Sequence, residues 1–178
     1  NPLGPENKLV YAAGPSAATG FPLNSRWIVA ARSPLTGIYG EATCGGTFAV
    51  QLRKAGYEAI VVEGVASSPV YVNIMNNDVE IKEASKLWGK MTLETEVAIA
   101  RDIGLKERRE DNPAVVCIGP SGEKLVKIAN VMHTAHRAGG RTGLGAVMGS
   151  KKLKAIAVRG TKSVPVANPE NLKDFTKQ

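Results

Sequence analysis

The residue types best suited to chemistry lie in one segment, His136-Arg137-Ala138-Gly139-Gly140-Arg141-Thr142-Gly143-Leu144-Gly145-Ala146-Val147-Met148-Gly149-Ser150-Lys151-Lys152, where five glycines are interspersed with four Arg or Lys cations. Glycine lets a backbone come close to an anion and turn its N–H groups inward, a following helix N-terminus adds a favourable dipole, and arginine supplies a bidentate fork. The segment therefore reads as an anion cradle. It is not a Walker loop, because no Gly-Lys-Ser/Thr closes it, and Gly143-x-Gly145-x-x-x-Gly149 misses the dinucleotide spacing by one residue. The competing reading, a flexible basic loop, sits poorly with Ala146-Val147-Met148, which wants burial.

A second glycine pair lies in Ala42-Thr43-Cys44-Gly45-Gly46-Thr47. Arg26 and Arg32 bracket a strand leading towards it, and Arg26 alternates with Ile28 and Ala30, which would turn Arg26 inwards if the strand is regular; a solvated cation at the strand edge is the alternative. His133 and His136 are three apart with no third ligand nearby, so they read as capping or lining residues rather than as a metal pair. Cys44 and Cys117 form no CxxC, and this domain cannot hold an iron–sulfur cluster unaided. Cys117 sits in the apolar run Ala114 to Ile118 and reads as a small buried hydrophobe, whereas Cys44 reads as part of the core or of a cofactor wall. No Ser/His/Asp set or acid/base carboxylate pair is spaced for catalysis, so no catalytic residue is expected in this chain.

These candidates are positioned by short β-rich runs separated by turn signals: Lys8 to Ala13, Arg26 to Ala31, Glu58 to Glu63, Val70 to Met75, Val79 to Glu83, Ala114 to Ile118, Val126 to Met132 and Ala155 to Arg159. Asn76-Asn77-Asp78 joins the fourth and fifth runs as a hairpin. Helices are expected from Thr47 to Lys54 and from Thr92 to Asp102, capped by Gly56 and Gly104, and Glu107 to Asn112 reads as a solvated loop. The order of elements recurs. A strand ending in Gly14-Pro15-Ser16, another strand, Gly45-Gly46, a helix and Glu58-Ala59-Ile60-Val61-Val62-Glu63-Gly64 is followed by Gly119-Pro120-Ser121, a strand, Gly139-Gly140, a helix and Lys154-Ala155-Ile156-Ala157-Val158-Arg159-Gly160. Two such units, approximately 8–64 and 114–160, related by a pseudo-two-fold axis, would suit a ligand that is itself doubled.

At 178 residues the chain fits a single domain, and its 19 glycines suggest that backbone makes many of the contacts. The net charge of +7 favours an anionic partner or an acidic surface elsewhere in the same protein. Only 5% of residues are aromatic, too few for the stacking platforms of a single-strand nucleic-acid binder, so no nucleic acid is expected. No apolar run is long enough to span a membrane and no signal sequence opens the chain, which makes a soluble cytoplasmic protein the expectation.

Arg32-Ser33-Pro34-Leu35-Thr36-Gly37, Ala55 to Gly64, Ala84-Ser85-Lys86-Leu87-Trp88-Gly89-Lys90, Ile118 to Glu123 and Gly145 to Lys151 together resemble, in order and spacing, the N-terminal domain of the aldehyde:ferredoxin oxidoreductase family. The resemblance covers nearly the whole chain. It implies an α+β domain of two related β-rich halves forming a base for a tungsten, or alternatively molybdenum, bis-pterin cofactor. It also implies that residues are missing before Asn1 and that helical domains, holding a [4Fe–4S] cluster, follow Gln178. Arg26, Thr43, Gly45, Arg137, Ala138, Gly140 and Arg141 fall where the family contacts its pterins. Two positions depart from the family pattern: Thr43 stands where Asn is usual, and Cys44 where a small residue is usual. The activity implied is oxidation of aldehydes to carboxylic acids, with ferredoxin as electron acceptor, the chain's own C-terminal domains as partners and a homodimer as the assembly. Relatives sharing this first domain reduce aromatic-ring thioesters, and a polyanion-binding or scaffold module that has kept the fold without the cofactor is a further alternative.

Overall fold

The computed structural model describes residues 1–103, 113–134 and 136–177. The cap expected at Gly104 and the loop expected over Glu107 to Asn112 lie outside the described residues. Ten strands and five helices are formed among them: β1 (Leu9–Ala13), β2 (Trp27–Arg32), β3 (Tyr39–Cys44), α1 (Phe48–Ala55), β4 (Ala59–Val62), β5 (Val70–Met75), β6 (Asp78–Glu83), α2 (Thr92–Asp102), β7 (Ala114–Cys117), α3 (Pro120–Glu123), β8 (Val131–His133), β9 (Arg137–Gly139), α4 (Leu144–Ser150), β10 (Leu153–Arg159) and α5 (Pro169–Phe175). The chain is a mixed α/β fold.

Local chemistry explains most of the boundaries. Gly56 ends α1 in the left-handed region at φ 100°, and Asn76 takes φ 53° in the two-residue link between β5 and β6. At the start of α2 the Glu94 carboxylate accepts the Met91 N–H at 2.9 Å, which satisfies one of the unpaired helix donors. Pro169 opens α5 behind Asn168, whose side chain accepts the Asn171 N–H at 2.9 Å.

The strands form two sheets. The first has the order β3-β2-β1-β4 and is antiparallel throughout. The second has the order β6-β5-β10-β7-β8-β9, antiparallel except where β5 meets β10. Read from its far edge, the second sheet runs β9-β8-β7-β10, the same succession as β3-β2-β1-β4, with α4 and α1 each preceding the last strand.

Both helices lie between the sheets: α1 touches β1, β7 and β10, while α4 touches β1, β2, β3, β8 and β10. The core joins Leu9, Tyr11, Trp27 and Val29 from one sheet to Val116, Ile118, Val131 and Ile156 from the other through Phe48, Leu52, Leu144 and Met148. Each large apolar side chain removed from water here contributes about 1.5–3 kcal/mol. A second cluster on the opposite face of the second sheet packs Ile99 of α2 with Tyr71, Val115, Cys117, Ala155 and Ala157. The hydrogen bond from the Tyr71 hydroxyl and the 2.7 Å ion pair from Lys82 both end on Asp102 and fasten the last turn of α2.

Sequence and structure part at a few elements. The strand expected over Val126 to Met132 is limited to Val131–His133; Leu125 adopts φ 57°, and Val126 and Ile128 face solvent instead of alternating into a core. β3 and β9 were not anticipated, because Tyr39-Gly40-Glu41-Ala42-Thr43-Cys44 buries only its small residues and β9 has three residues.

An ion pair is buried where α3 meets β10. Lys154 is fully buried, its Nζ 2.5 Å from the Glu123 carboxylate and donating to the Lys90 carbonyl at 2.8 Å, while the other Glu123 oxygen accepts the Gly89 N–H at 2.8 Å. This network ties the Trp88-Gly89-Lys90 loop to the second sheet. Glu123→Ala strands the Lys154 charge and is expected to cost about 3–5 kcal/mol in urea unfolding, whereas Glu123→Leu with Lys154→Met costs far less.

Candidate cofactor site

The turn that follows β3 is held on three sides. Trp27 donates its indole N–H to the Gly45 carbonyl at 3.1 Å. The Thr47 N–H, at the start of α1, donates to Nε2 of His133 at 3.0 Å. Nδ1 of His133 lies 2.7 Å from the Val115 carbonyl, and a carbonyl only accepts, so the proton sits on Nδ1 and Nε2 is the acceptor. The imidazole is completely buried, edge-on to Trp27 and Phe48. His133 of the second sheet thus caps a turn of the first. Gly46 is required there: its φ is 100°, and a Cβ would overlap the His133 ring.

Over this turn lies Arg137, the first residue of β9. Its Nη1 is 3.2 Å from where a Cβ on Gly45 would stand, so the glycine leaves the guanidinium room. The contact has a counterpart at the other end of β3. A Cβ on Gly40 would stand 2.7 Å from the Thr142 side chain, and the Ser33 hydroxyl donates to the Thr142 carbonyl at 2.7 Å. The start of each edge strand therefore meets the residues that follow the other.

Arg26, Thr43, Arg137, Ala138, Gly140 and Arg141 are exposed, and Gly45 is half-buried. Among the described residues no carboxylate pairs with Arg26, Arg137 or Arg141. Gly140 is exposed, and a Cβ built there would meet Ala138 and Asn130 at ordinary contact distance, whereas Gly139 points into the core against Val29 and Ala42. Arg26 does not turn inwards. It precedes β2, whose core face is Trp27, Val29 and Ala31, and the alternating set Arg26, Ile28 and Ala30 faces the other way. Arg32 lies at the far end of β2, where its Nε donates to the Gly37 carbonyl at 2.7 Å.

Cys44 is buried beneath the same turn, paired in register with Trp27. Burial raises its thiol above the ordinary range, and the positive fields of Arg137 and Arg26 only partly offset that. Cys117 is an inert core thiol, pushed by burial up to about 12.

The glycine-rich segment splits into two parts with different work. Gly145 and Gly149 are packing positions: a Cβ on Gly145 would stand 2.5 Å from the Asn130 carbonyl oxygen, and one on Gly149 would overlap the Gly122 backbone. Lys151 donates to the carbonyls of Pro5 and Gly64, both at 3.2 Å, and Lys152 donates to Ser67 at 2.6 Å. Only the portion from Arg137 to Arg141 presents cations to solvent beside open backbone. The capping role expected for His133 is the one it plays at Thr47, whereas Trp27 and Ser33, which also fix the turns, carried no sequence signal for that role.

A family model described as "Aldehyde ferredoxin oxidoreductase, N-terminal domain" matches residues 1–160. The chain belongs to the aldehyde ferredoxin oxidoreductase family. A tungsten-containing aldehyde ferredoxin oxidoreductase of Pyrococcus furiosus is 50% identical over 170 residues, which cover 96% of this chain and 27% of that protein. An aliphatic sulfonate oxidoreductase, WOR-like subunit, from the same organism is 35% identical over 181 residues, covering 97% of this chain and 29% of that protein. Among solved structures, the active-site complex BamBC of benzoyl-coenzyme A reductase with 1,5-dienoyl-CoA superposes with a TM-score of 0.94 at 38% identity, covering 99% of this chain and 26% of that chain. The chain spans about a quarter of the length of these aldehyde ferredoxin oxidoreductase relatives and corresponds to their N-terminal domain.

In the folded protein Cys44 is expected to resist iodoacetamide at pH 8, reacting far more slowly than a free cysteine and at the same rate only after unfolding. Peptide mass spectrometry of the alkylated protein reads this directly.

Proposed function

We propose that the domain is the base of a tungsten bis-pterin site in an oxidoreductase that converts an aldehyde and water into a carboxylate, three protons and two electrons. The observation that carries this reading is the set of exposed arginines, Arg26, Arg137 and Arg141, unpaired with any described carboxylate and disposed about the turns where β3 and β9 meet. Arginine forks suit pterin phosphates and ring edges. Small or backbone-only positions at Thr43, Gly45, Ala138 and Gly140 allow close approach and offer amides as donors. The residues present therefore fit the group. The bound cofactor would supply a two-electron redox centre; this chain's residues would bind it, orient it and set its electrostatic surroundings.

The doubled ligand has a doubled seat. The shared strand succession of the two sheets, and the reciprocal contacts of Arg137 with Gly45 and of Thr142 with Gly40, support a duplication with a pseudo-two-fold axis passing between β3 and β9. One half of the site would then serve each pterin. The rest of the polypeptide would hold a [4Fe–4S] cluster and pass electrons singly to ferredoxin.

Aldehyde oxidation is favoured by the 50% identity to enzymes of that name. Reduction of an aromatic-ring thioester is the second reading, supported by the fold match to the benzoyl-coenzyme A reductase complex. Arg137→Ala with Arg141→Ala in the full-length protein, purified without oxygen, is expected to lose most of its tungsten and pterin, because each charge-assisted hydrogen bond is worth about 1.5–3 kcal/mol. Unchanged occupancy would remove the cradle assignment.

A further inference from the structure

The chain enters α1 and α4 in the same way. Each helix begins one residue after its cap, Phe48 behind Thr47 and Leu144 behind Gly143, and the residue before each cap is left-handed: Gly46 at φ 100° and Thr142 at φ 62°. Glycine suits that conformation, whereas a β-branched residue is an outlier in it. Among the described residues with positive φ only Thr134 and Thr142 are β-branched, and they flank β9, the strand that carries Arg137 and Ala138. Backbone strain of this kind collects at ligand clamps.

Two contacts from the first sheet hold Thr142 in place. Ser33, the residue after β2, is completely buried; its hydroxyl donates to the Thr142 carbonyl at 2.7 Å and accepts the N–H groups of Leu35 and Thr36, each at 3.1 Å. The Thr142 side chain sits where Gly40 leaves room, since a Cβ on Gly40 would stand 2.7 Å from the Thr142 Cβ. Downstream the chain is fixed: a Cβ on Gly143 would overlap the Lys127 carbonyl, the Gly145 N–H donates to Ala129 at 3.0 Å, and Leu144 to Gly149 are buried. Upstream, Gly139 is paired with Val131. Rotation about the Thr142 backbone therefore moves the link between them, Gly140 and Arg141. The Thr142 hydroxyl donates to the Arg141 carbonyl at 2.7 Å and carries that residue with it.

We infer that Ser33 is a positioning residue for Arg141: it holds Thr142 in a left-handed conformation that threonine leaves when released, and so fixes where the Arg141 guanidinium stands against a pterin phosphate. That the anion belongs to a pterin rests on the cofactor reading; the hold on Thr142 does not. The hydrogen bond by itself would not single out threonine, because its acceptor is a main-chain carbonyl that glycine also has. The strain does. With threonine the left-handed state costs free energy that the Ser33 bond and the Gly40 seat must offset, whereas with glycine at 142 that state is open without them. Presentation of Arg141 is thereby conditional on the seating of the first sheet. A binding-competent state that is only partly populated lowers the apparent affinity by that fraction.

A double-mutant cycle in the full-length protein, purified without oxygen, tests this. The rate of pterin release on dialysis, read by the fluorescence of the oxidised pterin, is expected to rise roughly 5- to 30-fold in Ser33→Ala, the factor to which the strain of one left-handed residue corresponds. Adding Thr142→Gly is expected to bring the rate back to within about 2-fold of that for Thr142→Gly alone. Equal effects of Ser33→Ala in both backgrounds, as a hydrogen bond with a structural role only would give, would overturn the inference. If Ser33→Ala does not fold, Gly40→Ala displaces the Thr142 side chain in its stead, and a rise in release that Thr142→Gly fails to reverse overturns it equally. Crystal structures of the same proteins supply a readout without the cofactor: in Ser33→Ala residue 142 is expected to leave the left-handed region, and in the double variant to keep it. Residue 142 still left-handed in Ser33→Ala would also overturn the inference. Wild-type protein that carries neither tungsten nor pterin would remove the cofactor reading, and the crystal structures then decide the hold on Thr142 alone.

Discussion

The site depends on one buried imidazole. His133 belongs to the second sheet, yet its Nε2 accepts the N–H of Thr47 at the turn where the first sheet hands over to α1. Its other nitrogen is committed to the Val115 carbonyl, and Trp27 and Phe48 hold its faces and edges. The ring therefore has one tautomer and one orientation. Because it is fixed, Gly46 must be glycine, the Gly45 carbonyl is free to take the Trp27 indole N–H, and the Arg137 guanidinium has a flat backbone to lie across. Two sheets that share no strand are joined at the turn over which Arg137 lies.

The positive charge is divided by depth. Lys151 and Lys154 are buried and spent on structure, the first holding the carbonyls of Pro5 and Gly64 and the second paired with Glu123. Burial lowers the pKa of Lys151, the opposite of what a site gathering anions would do to it. The arginines remain at the surface. The glycines divide likewise, with Gly145 and Gly149 allowing α4 to press on its neighbours, Gly45 making room for the Arg137 guanidinium and Gly140 exposed at the surface.

Much of this was legible in the sequence, for stated reasons. The Asn76-Asn77 hairpin, the Gly56 cap and the two long helices follow from local residue preferences that tertiary structure did not override. Gly-Pro-Ser, Gly-Gly and Ala-Ile runs recur in the sequence, and the strand succession β9-β8-β7-β10 in the second sheet parallels β3-β2-β1-β4 in the first. Val126 to Met132 misled because its apolar residues face solvent, and apolar alternation signals a strand only where one face is buried. β3 carries no sequence signal for the converse reason: Gly40, Ala42 and Cys44 are too small to register as a hydrophobic face, and the Thr142 side chain against Gly40 and Gly139 beside Ala42 leave little room for larger residues. Of the two orientations the sequence leaves open for Arg26, the solvated one holds, because the face it shares with Ile28 and Ala30 is the one turned away from the core.

The central claim is that the meeting of β3 and β9 seats a doubled pterin around one metal. The most direct measurement is the tungsten, molybdenum and released-pterin content of the full-length protein, purified without oxygen from its native host. The account predicts tungsten and pterin in bis-pterin stoichiometry. Protein that is folded and intact yet free of both metal and pterin would contradict it, leaving the exposed arginines to serve some other anion.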